Sequence, residues 1–355
     1  MWIYLTLAAG VFMGWSLGAN DAANAFGTAV ATGVIRYRTA VAIIAVLVMI
    51  GAFAHGADNL TGVHQLAVNN AIIPSADEVR AQIAADNHEW LDTLVLKSSL
   101  RAAVIFTVSA IIVFIMTYLK FPASANQSIT GAMIGWGLAH GRALRGENLR
   151  QIVRFVTTWL VCPASALLIS FLLVGITNRW IVPKLAQRSY YGKIVRLGYL
   201  LAGVSGSYSI GRNSAANVTA LYYGESVDGI RTNLLSDPRL TAAVGGLAIA
   251  LGVLTYSQKV MMTVGTDIAP LTPVEGFVVI IAMSLTLTLM GDIMHIPVSS
   301  SQAIVGAVVG AGLTKECDCV NFGIFRDIAL AWISSPFIAG LAAYLVALAT
   351  KGFLA

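Results

Sequence analysis

Four short stretches of the 355-residue chain hold the side chains best suited to chemistry, and each is apolar but interrupted by Gly, Ser, Asn or Pro. They read Gly18-Ala-Asn-Asp-Ala-Ala-Asn-Ala25, Pro122-Ala-Ser-Ala-Asn-Gln-Ser-Ile-Thr-Gly-Ala132, Gly211-Arg-Asn-Ser-Ala-Ala-Asn-Val218 and Pro297-Val-Ser-Ser-Ser-Gln-Ala-Ile-Val-Gly-Ala307. The Pro-led stretches suit anions. Proline lacks a backbone donor and fits the first turn of a helix, so each stretch predicts a short re-entrant hairpin whose second helix starts near Ser124 or Ser299. A helix start offers free N–H groups at the positive end of its dipole, and hydroxyl and amide side chains add donors. Two such starts meeting in mid-membrane would cradle an oxyanion with little formal charge. Neutral donors can hold phosphate and still release it, whereas a cage of arginines would release it slowly. The Asn-rich stretches suit cations. Asn20, Asp21, Asn24, Asn213 and Asn217 supply oxygen, which hard cations prefer. Asn20 and Asn24, four apart, share a helix face. Asp21 reads as an intramembrane acid in need of a partner, either a bound cation or Arg212. The plainer readings are asparagines that cap a broken helix and small residues that pack helices together.

The stretches form two pairs. Gly18, Asn20, Ala22-Ala23 and Asn24 match Gly211, Asn213, Ala215-Ala216 and Asn217. Pro122, Ser124, Gln127, Ile129 and Gly131-Ala132 match Pro297, Ser299, Gln302, Ile304 and Gly306-Ala307. The pairs recur in the same order, which is an internal repeat, and paired interrupted segments in two halves point to a transporter's binding site. Packing accounts for the Gly and Ala but not for Asn and Gln at fixed offsets.

Membrane helices must position these residues. The chain is 57% hydrophobic and 11% charged, with mean hydropathy +0.78, against about 25% charged in soluble domains. That excludes a soluble enzyme and a disordered or fibrous chain. Eight apolar runs of spanning length cover roughly 1–17, 40–57, 98–119, 152–178, 194–210, 240–258, 274–290 and 323–349. The first reads as a membrane helix rather than a removed signal. The fold class is an all-α polytopic membrane protein of two inverted repeats, with broken helices and paired re-entrant hairpins. The first repeat is 1–178, with broken motif 18–34 and hairpin 122–141. A basic polar linker at 179–193 precedes the second repeat, 194–355, with broken motif 211–224 and hairpin 297–313. The stretch 74–97, with Asp77, Glu78, Asp86, Glu89 and Asp92, reads as an acidic external loop. Basic bias places the linker, the Arg36–Arg38 turn and the Arg142–Arg154 loop inside, which these spans cannot all satisfy. The net charge of +5 follows from such loops and gives no reason to expect nucleic acid. Three cysteines give no disulfide framework; Cys317-x-Cys319, in a polar loop, is either structural or a weak metal motif. Weaker candidates are Asp292 and His295 beside Pro297, Asp58 with His55 at a span end, a Lys259–Asp267 pair, and His140 after the first hairpin. No nucleophile set, metal-binding His cluster or nucleotide loop is present, so an enzyme ranks last.

Residues 18–30, Gly-Ala-Asn-Asp-Ala-Ala-Asn-Ala-Phe-Gly-Thr-Ala-Val, resemble the signature of the inorganic phosphate transporter (PiT) family. The two Pro-x-Ser hairpins resemble that family's paired hairpins, and Lys259–Gly265 with Leu271-Thr-Pro273 resembles a further segment. The resemblance covers nearly the whole chain. It implies an inverted-repeat symporter with phosphate held between the halves. By position, it implies that Ser124, Asn126, Gln127, Ser128, Ser299, Ser300, Ser301 and Gln302 face phosphate, and that Asn20, Asp21, Asn24, Asn213 and Asn217, with Ser214, hold sodium. The chain departs from the pattern at Arg212 and Ser214, where the family often has a small residue and Asp or Asn, and at Val48 and Met262, where it often has Glu. Arg212 then either stands in for a cation or contacts the anion. The expectation is phosphate import by sodium symport with alternating access, through a multi-pass protein of the cell (inner) membrane, with no cofactor. Expected partners are phosphate, sodium ions and the bilayer, with a homodimer left open. A sulfate carrier, a proton-coupled symporter and an anion channel are the alternatives.

Overall fold

The computed structural model describes residues 2–85, 88–142, 144, 146–224, 226–227, 230–231, 234–294, 297–315 and 319–354. Asp86, His295 and Cys317 lie outside the described residues, as do the side chains of Glu89 and Asp92. In chain order the helices are α1 (Trp2–Ala31), α2 (Tyr37–His55), α3 (Leu60–Asn69), α4 (Ala76–Ala84), α5 (His88–Tyr118), α6 (Ala125–Ala139), α7 (Gly146–Ile176), α8 (Val182–Leu185), α9 (Tyr191–Ser214), α10 (Ala216–Thr219), α11 (Pro238–Tyr256), α12 (Gln258–Met262), α13 (Pro273–Met294), α14 (Ser300–Gly312) and α15 (Phe322–Leu354). Among the described residues the fold is all-α apart from one antiparallel ladder of two-residue strands, β1 (Ser226–Val227) and β2 (Ile230–Arg231).

Among the described residues, six helical segments are long and apolar enough to cross a membrane, and they fall on α2, α5, α7, α11, α13 and α15. The other two apolar runs fall in α1 and α9, whose later turns carry the polar motifs. The outer faces of α7 and α15 expose Leu160, Leu168, Leu172, Ile333, Phe337 and Leu341. An apolar surface of that extent requires lipid or a partner.

Two expectations change. Motif 18–34 is not broken at its polar residues, because α1 runs without interruption to Ala31. Its Asn and Asp side chains bond to other elements, so they do not compete for the helix's own backbone groups. The second motif is interrupted at Ala215, between α9 and α10, and leaves the helix after Thr219. The helical run from Gly146 also extends to Leu185, so the first part of the 179–193 stretch is helix.

The helices pack reciprocally. α1 crosses α11 as α9 crosses α2, α6 crosses α15 as α14 crosses α7, and α1–α5 is matched by α9–α13. The crossings are close enough to demand glycine. A Cβ on Gly131 would lie 2.1 Å from the Pro336 carbonyl oxygen, and one on Gly306 would lie 2.3 Å from that of Pro163. Both prolines sit inside helices. The carbonyl of Trp332, which Pro336 leaves without its helical donor, accepts the Ser335 hydroxyl at 3.2 Å.

Candidate functional site

The first turns of α6 and α14 are built alike. Ser124 and Ser299 are extended N-cap residues, and their hydroxyls accept the backbone N–H of Gln127 and Gln302 at 3.4 and 3.2 Å. This is the local arrangement that Pro-x-Ser followed by helix formers favours. An asparagine of the preceding motif grips the lead-in to each helix. Asn20 Nδ2 donates to Thr117 Oγ1 at 2.9 Å and to the Phe121 carbonyl at 3.0 Å, while its Oδ1 accepts the Ala123 N–H at 2.8 Å. Asn213 Nδ2 donates to the Val298 carbonyl at 2.6 Å, and its Oδ1 accepts the Val298 N–H at 2.8 Å. The two asparagines clamp non-helical backbone that is buried and has no ladder partner of its own. Further ties run from Trp332 Nε1 to the Pro122 carbonyl at 2.9 Å and from Cys162 Sγ to the Ser299 carbonyl at 3.5 Å. Asn126 Nδ2 donates to the Pro297 carbonyl and so joins the two helix starts.

Asp21 lies between them. Its Oδ1 accepts Ser301 Oγ at 3.2 Å and Asn24 Nδ2 at 3.2 Å, and its Oδ2 faces Ser214 Oγ at 3.4 Å. Asn24 Nδ2 also reaches Ser300 Oγ at 3.1 Å and Ser301 Oγ at 3.3 Å. Among the described residues, every partner of this buried carboxylate is neutral. Among the described residues no cation pairs with it, and the motif's own Arg212 is turned instead to Asp292 and, at 3.5 Å, to Asp58. Asp21, Asn126, Ser214, Asn217, Ser299 and Ser300 line a cavity of about 10 Å³, roughly the size that holds one water. Among the described residues, Asn24 Oδ1 and Asn217 Oδ1 are buried with no hydrogen-bond partner, and so are Gln127 Oε1 and Gln302 Oε1. These four are two matched pairs of the repeat. The glutamines line a groove of about 410 Å³ between α7 and α15, walled by Trp159, Pro163, Trp332 and Pro336. Ser128 turns back onto its own helix, with Oγ 3.4 Å from the Ser124 carbonyl.

The structure therefore gathers both Asn-rich motifs and both helix starts in one buried region and leaves Arg212 at its edge. Sequence reasoning missed several features. One is the clamp role of Asn20 and Asn213; another is the Arg212–Asp58–Asp292 cluster. A third is a buried tie at Glu275, which accepts Asn178 Nδ2 at 2.9 Å and pairs with Lys315 at 3.0 Å. Only the last carried a local signal, the Thr272-x-x-Glu275 box. Lys259, expected to pair with Asp267, lies over the rings of Tyr118 and Tyr256, 5.3 and 5.4 Å from their centroids. Cys319 is disulfide-bonded, which takes its thiolate out of a metal site, and no cluster of metal-ligating side chains occurs among the described residues.

Fold and site are those of a multi-pass integral membrane transporter rather than an enzyme. Residues 17–343 match the phosphate transporter family, and the chain belongs to that family. It is 28% identical to a putative phosphate permease of Pyrococcus horikoshii, with 97% of each chain covered. It is 24% identical to inorganic phosphate transporter 2-1, chloroplastic, of Arabidopsis thaliana, with 93% of this chain and 69% of that one covered. Among solved structures it resembles one described as the sodium-dependent phosphate transporter, with a TM-score of 0.75, 22% identity and 99% of each chain covered.

Proposed function

We propose that the chain imports inorganic phosphate across the cell (inner) membrane by sodium symport, with the two halves acting as inverted repeats that alternate access to a common site. The observation that carries this reading is Asp21: a buried carboxylate with only neutral donors beside a cavity for one small particle. An uncompensated buried charge is expensive, and unpartnered amide oxygens next to it suit a hard cation that prefers oxygen. Asp21, Asn24, Ser214 and Asn217 are assigned to sodium. Asn20 and Asn213 fix the helix starts, and each carbonyl oxygen keeps a second lone pair for a cation.

Phosphate is assigned to the facing helix starts, through Asn126, Ser299, Ser300 and Ser301 and the amides of Gln127 and Gln302, with Ser124 and Ser128 shaping the first turn of α6. A tetrahedral ion needs several times the present cavity, so the helix starts must part to admit it. That requirement favours a carrier over an open channel. The reciprocal packing of α6 on α15 and α14 on α7 supports two-fold related halves that rock against each other. In this reading Arg212 is not an anion ligand but a tie at the edge of the site.

Labelled phosphate uptake into proteoliposomes, with sodium and proton gradients imposed separately, tests the reading. Uptake should follow sodium, and Asp21→Asn should abolish it while leaving folded protein in the membrane. Uptake that ignores sodium but follows pH, or full sodium-driven uptake by the variant, would overturn the assignment. Unlabelled sulfate should not compete.

A further inference from the structure

We propose that the connection between α7 and α9, residues 177–196, is a binding surface for the headgroups of anionic phospholipids in the leaflet it meets. The uncharged run from Phe155 to Asn178 is helical to its end. It rises about 36 Å and so crosses the hydrocarbon core, which is about 30 Å thick. α9 then leads back into the bilayer, with Leu197 and Leu201 exposed along it. The connection therefore turns at the level of the headgroups.

Arg179, Lys184, Arg188, Lys193 and Arg196 are all exposed, and among the described residues none of them enters an ion pair. The sequence holds no Asp or Glu between Glu147 and Glu225, so no neighbour along the chain neutralises them. Carboxylates that other elements bring to this end are engaged elsewhere. Glu275, which Asn178 reaches at 2.9 Å, pairs with Lys315 at 3.0 Å, and Asp327 pairs with Arg326 at 3.0 Å; Asp267 is engaged as well. The same end gains two more exposed cations. Thr32 Oγ1 donates to Tyr199 Oη at 3.4 Å, which sets the turn after α1, with Arg36 and Arg38, beside the start of α9. Aromatic rings supply an independent indication. Trp180 is 64% exposed and Tyr190 47%, with Ile176 and Ile181 exposed beside Trp180. Indole and phenol rings settle where an apolar body meets the acyl boundary and an N–H or O–H meets water, whereas a merely solvated turn has no use for them. Basic clusters next to a membrane helix attract anionic lipid, guanidinium groups fork to phosphate oxygens, and the long stems lie along apolar surface while the charged heads reach out. Exposed and spread along the connection, these cations suit an array of headgroups rather than a cage for one free ion.

The test uses the full chain in phosphatidylcholine vesicles that carry a trace of spin-labelled phosphatidylglycerol or spin-labelled phosphatidylcholine. Electron paramagnetic resonance measures the fraction of each label immobilised by the protein. The wild type should immobilise phosphatidylglycerol in preference to phosphatidylcholine. Part of that preference should be lost at about 1 M salt, where the screening length is about 3 Å, an arm that needs no variant. Arg179→Gln/Lys184→Gln/Arg188→Gln/Lys193→Gln/Arg196→Gln should lose most of the preference at low salt, since each basic residue near an anionic surface is worth about fivefold. Arg179→Lys/Arg188→Lys/Arg196→Lys keeps the charge and should keep the preference. No preference in the wild type would leave this face to solvent or to an acidic soluble partner and overturns the proposal. An unchanged preference in the neutral variant, or its loss in the charge-keeping one, overturns it too. The outcome is independent of which ion the central site carries, because neither label passes through it.

Discussion

At the scale of single residues, the two pairs of equivalent asparagines do different work. Asn24 and Asn217 keep unpartnered oxygens beside the cavity, whereas Asn20 and Asn213 use both ends of their amides on the segments that lead into α6 and α14. The clamp makes a testable distinction. Asn213→Ala leaves the Val298 N–H and carbonyl buried without partners, a cost of about 1–3 kcal/mol for each group. It should lower thermal stability in detergent and weaken phosphate affinity together, because the start of α14 loses its anchor. Asn217→Ala removes a carboxamide whose oxygen has no hydrogen-bond partner among the described residues. It should leave thermal stability without sodium nearly unchanged and raise the sodium concentration needed for half-maximal uptake. Equal loss of sodium-free stability in both variants would contradict the division of roles.

At the scale of elements, α6 and α14 are held by their starts and by close crossings over α15 and α7. Gly131→Ala and Gly306→Ala each place a methyl within 2.1–2.3 Å of a carbonyl oxygen, and such overpacking costs about 1–3 kcal/mol. Both should lower the melting temperature of purified protein by similar amounts. Gly175→Ala in α7, where nothing lies within 4 Å, should be neutral or stabilising by up to about 1 kcal/mol, since alanine is the better helix former. A destabilised Gly175→Ala with intact Gly131→Ala would show that the crossings are looser than described.

The helix starts were legible in the sequence because a proline, a capping serine and a following amide act within one turn. The run of α1 through its polar motif was not, since what keeps Asn20 and Asp21 from disturbing the helix is a set of partners about a hundred or more residues away, at Thr117, Ala123, Ser214 and Ser301. The partner of Arg212 is hidden for the same reason: Asp292 lies 80 positions along the chain. Charge composition reads the acidic stretch at 74–97 as external and favours an internal loop at 142–154 without fixing the orientation; Glu78 and Arg142 line one cavity, so the two segments lie at the same end of the molecule.

At the scale of the whole molecule, equivalent positions of the halves should face opposite sides of the membrane if the repeats are inverted. The glycine contacts fix which positions are equivalent. A Cβ on Gly18 would meet the Ile249 carbonyl and one on Gly211 that of Val48; one on Gly252 would meet the Trp15 carbonyl and one on Gly51 that of Tyr208. Trp15 thus corresponds to Tyr208 as Gly18 does to Gly211, and Val48 to Ile249 as Gly51 does to Gly252. Continuing that register pairs Asp58 with Lys259. Both are exposed, and their charges are opposite. Asp58 joins Asp292 around Arg212, while Lys259 sits on the rings of Tyr118 and Tyr256. The two mouths of the transporter would then differ in sign at matching places, and Arg212 would tie only one of them. Cysteine placed at each position in a cysteine-free background, with a membrane-impermeant maleimide applied to intact cells and then to permeabilised ones, reads the geometry directly. One of Asp58→Cys and Lys259→Cys should label in intact cells and the other only after permeabilisation. Labelling of both from the same side would mean that the halves run parallel through the membrane, and the rocking of inverted repeats would have to be abandoned even if phosphate uptake were intact.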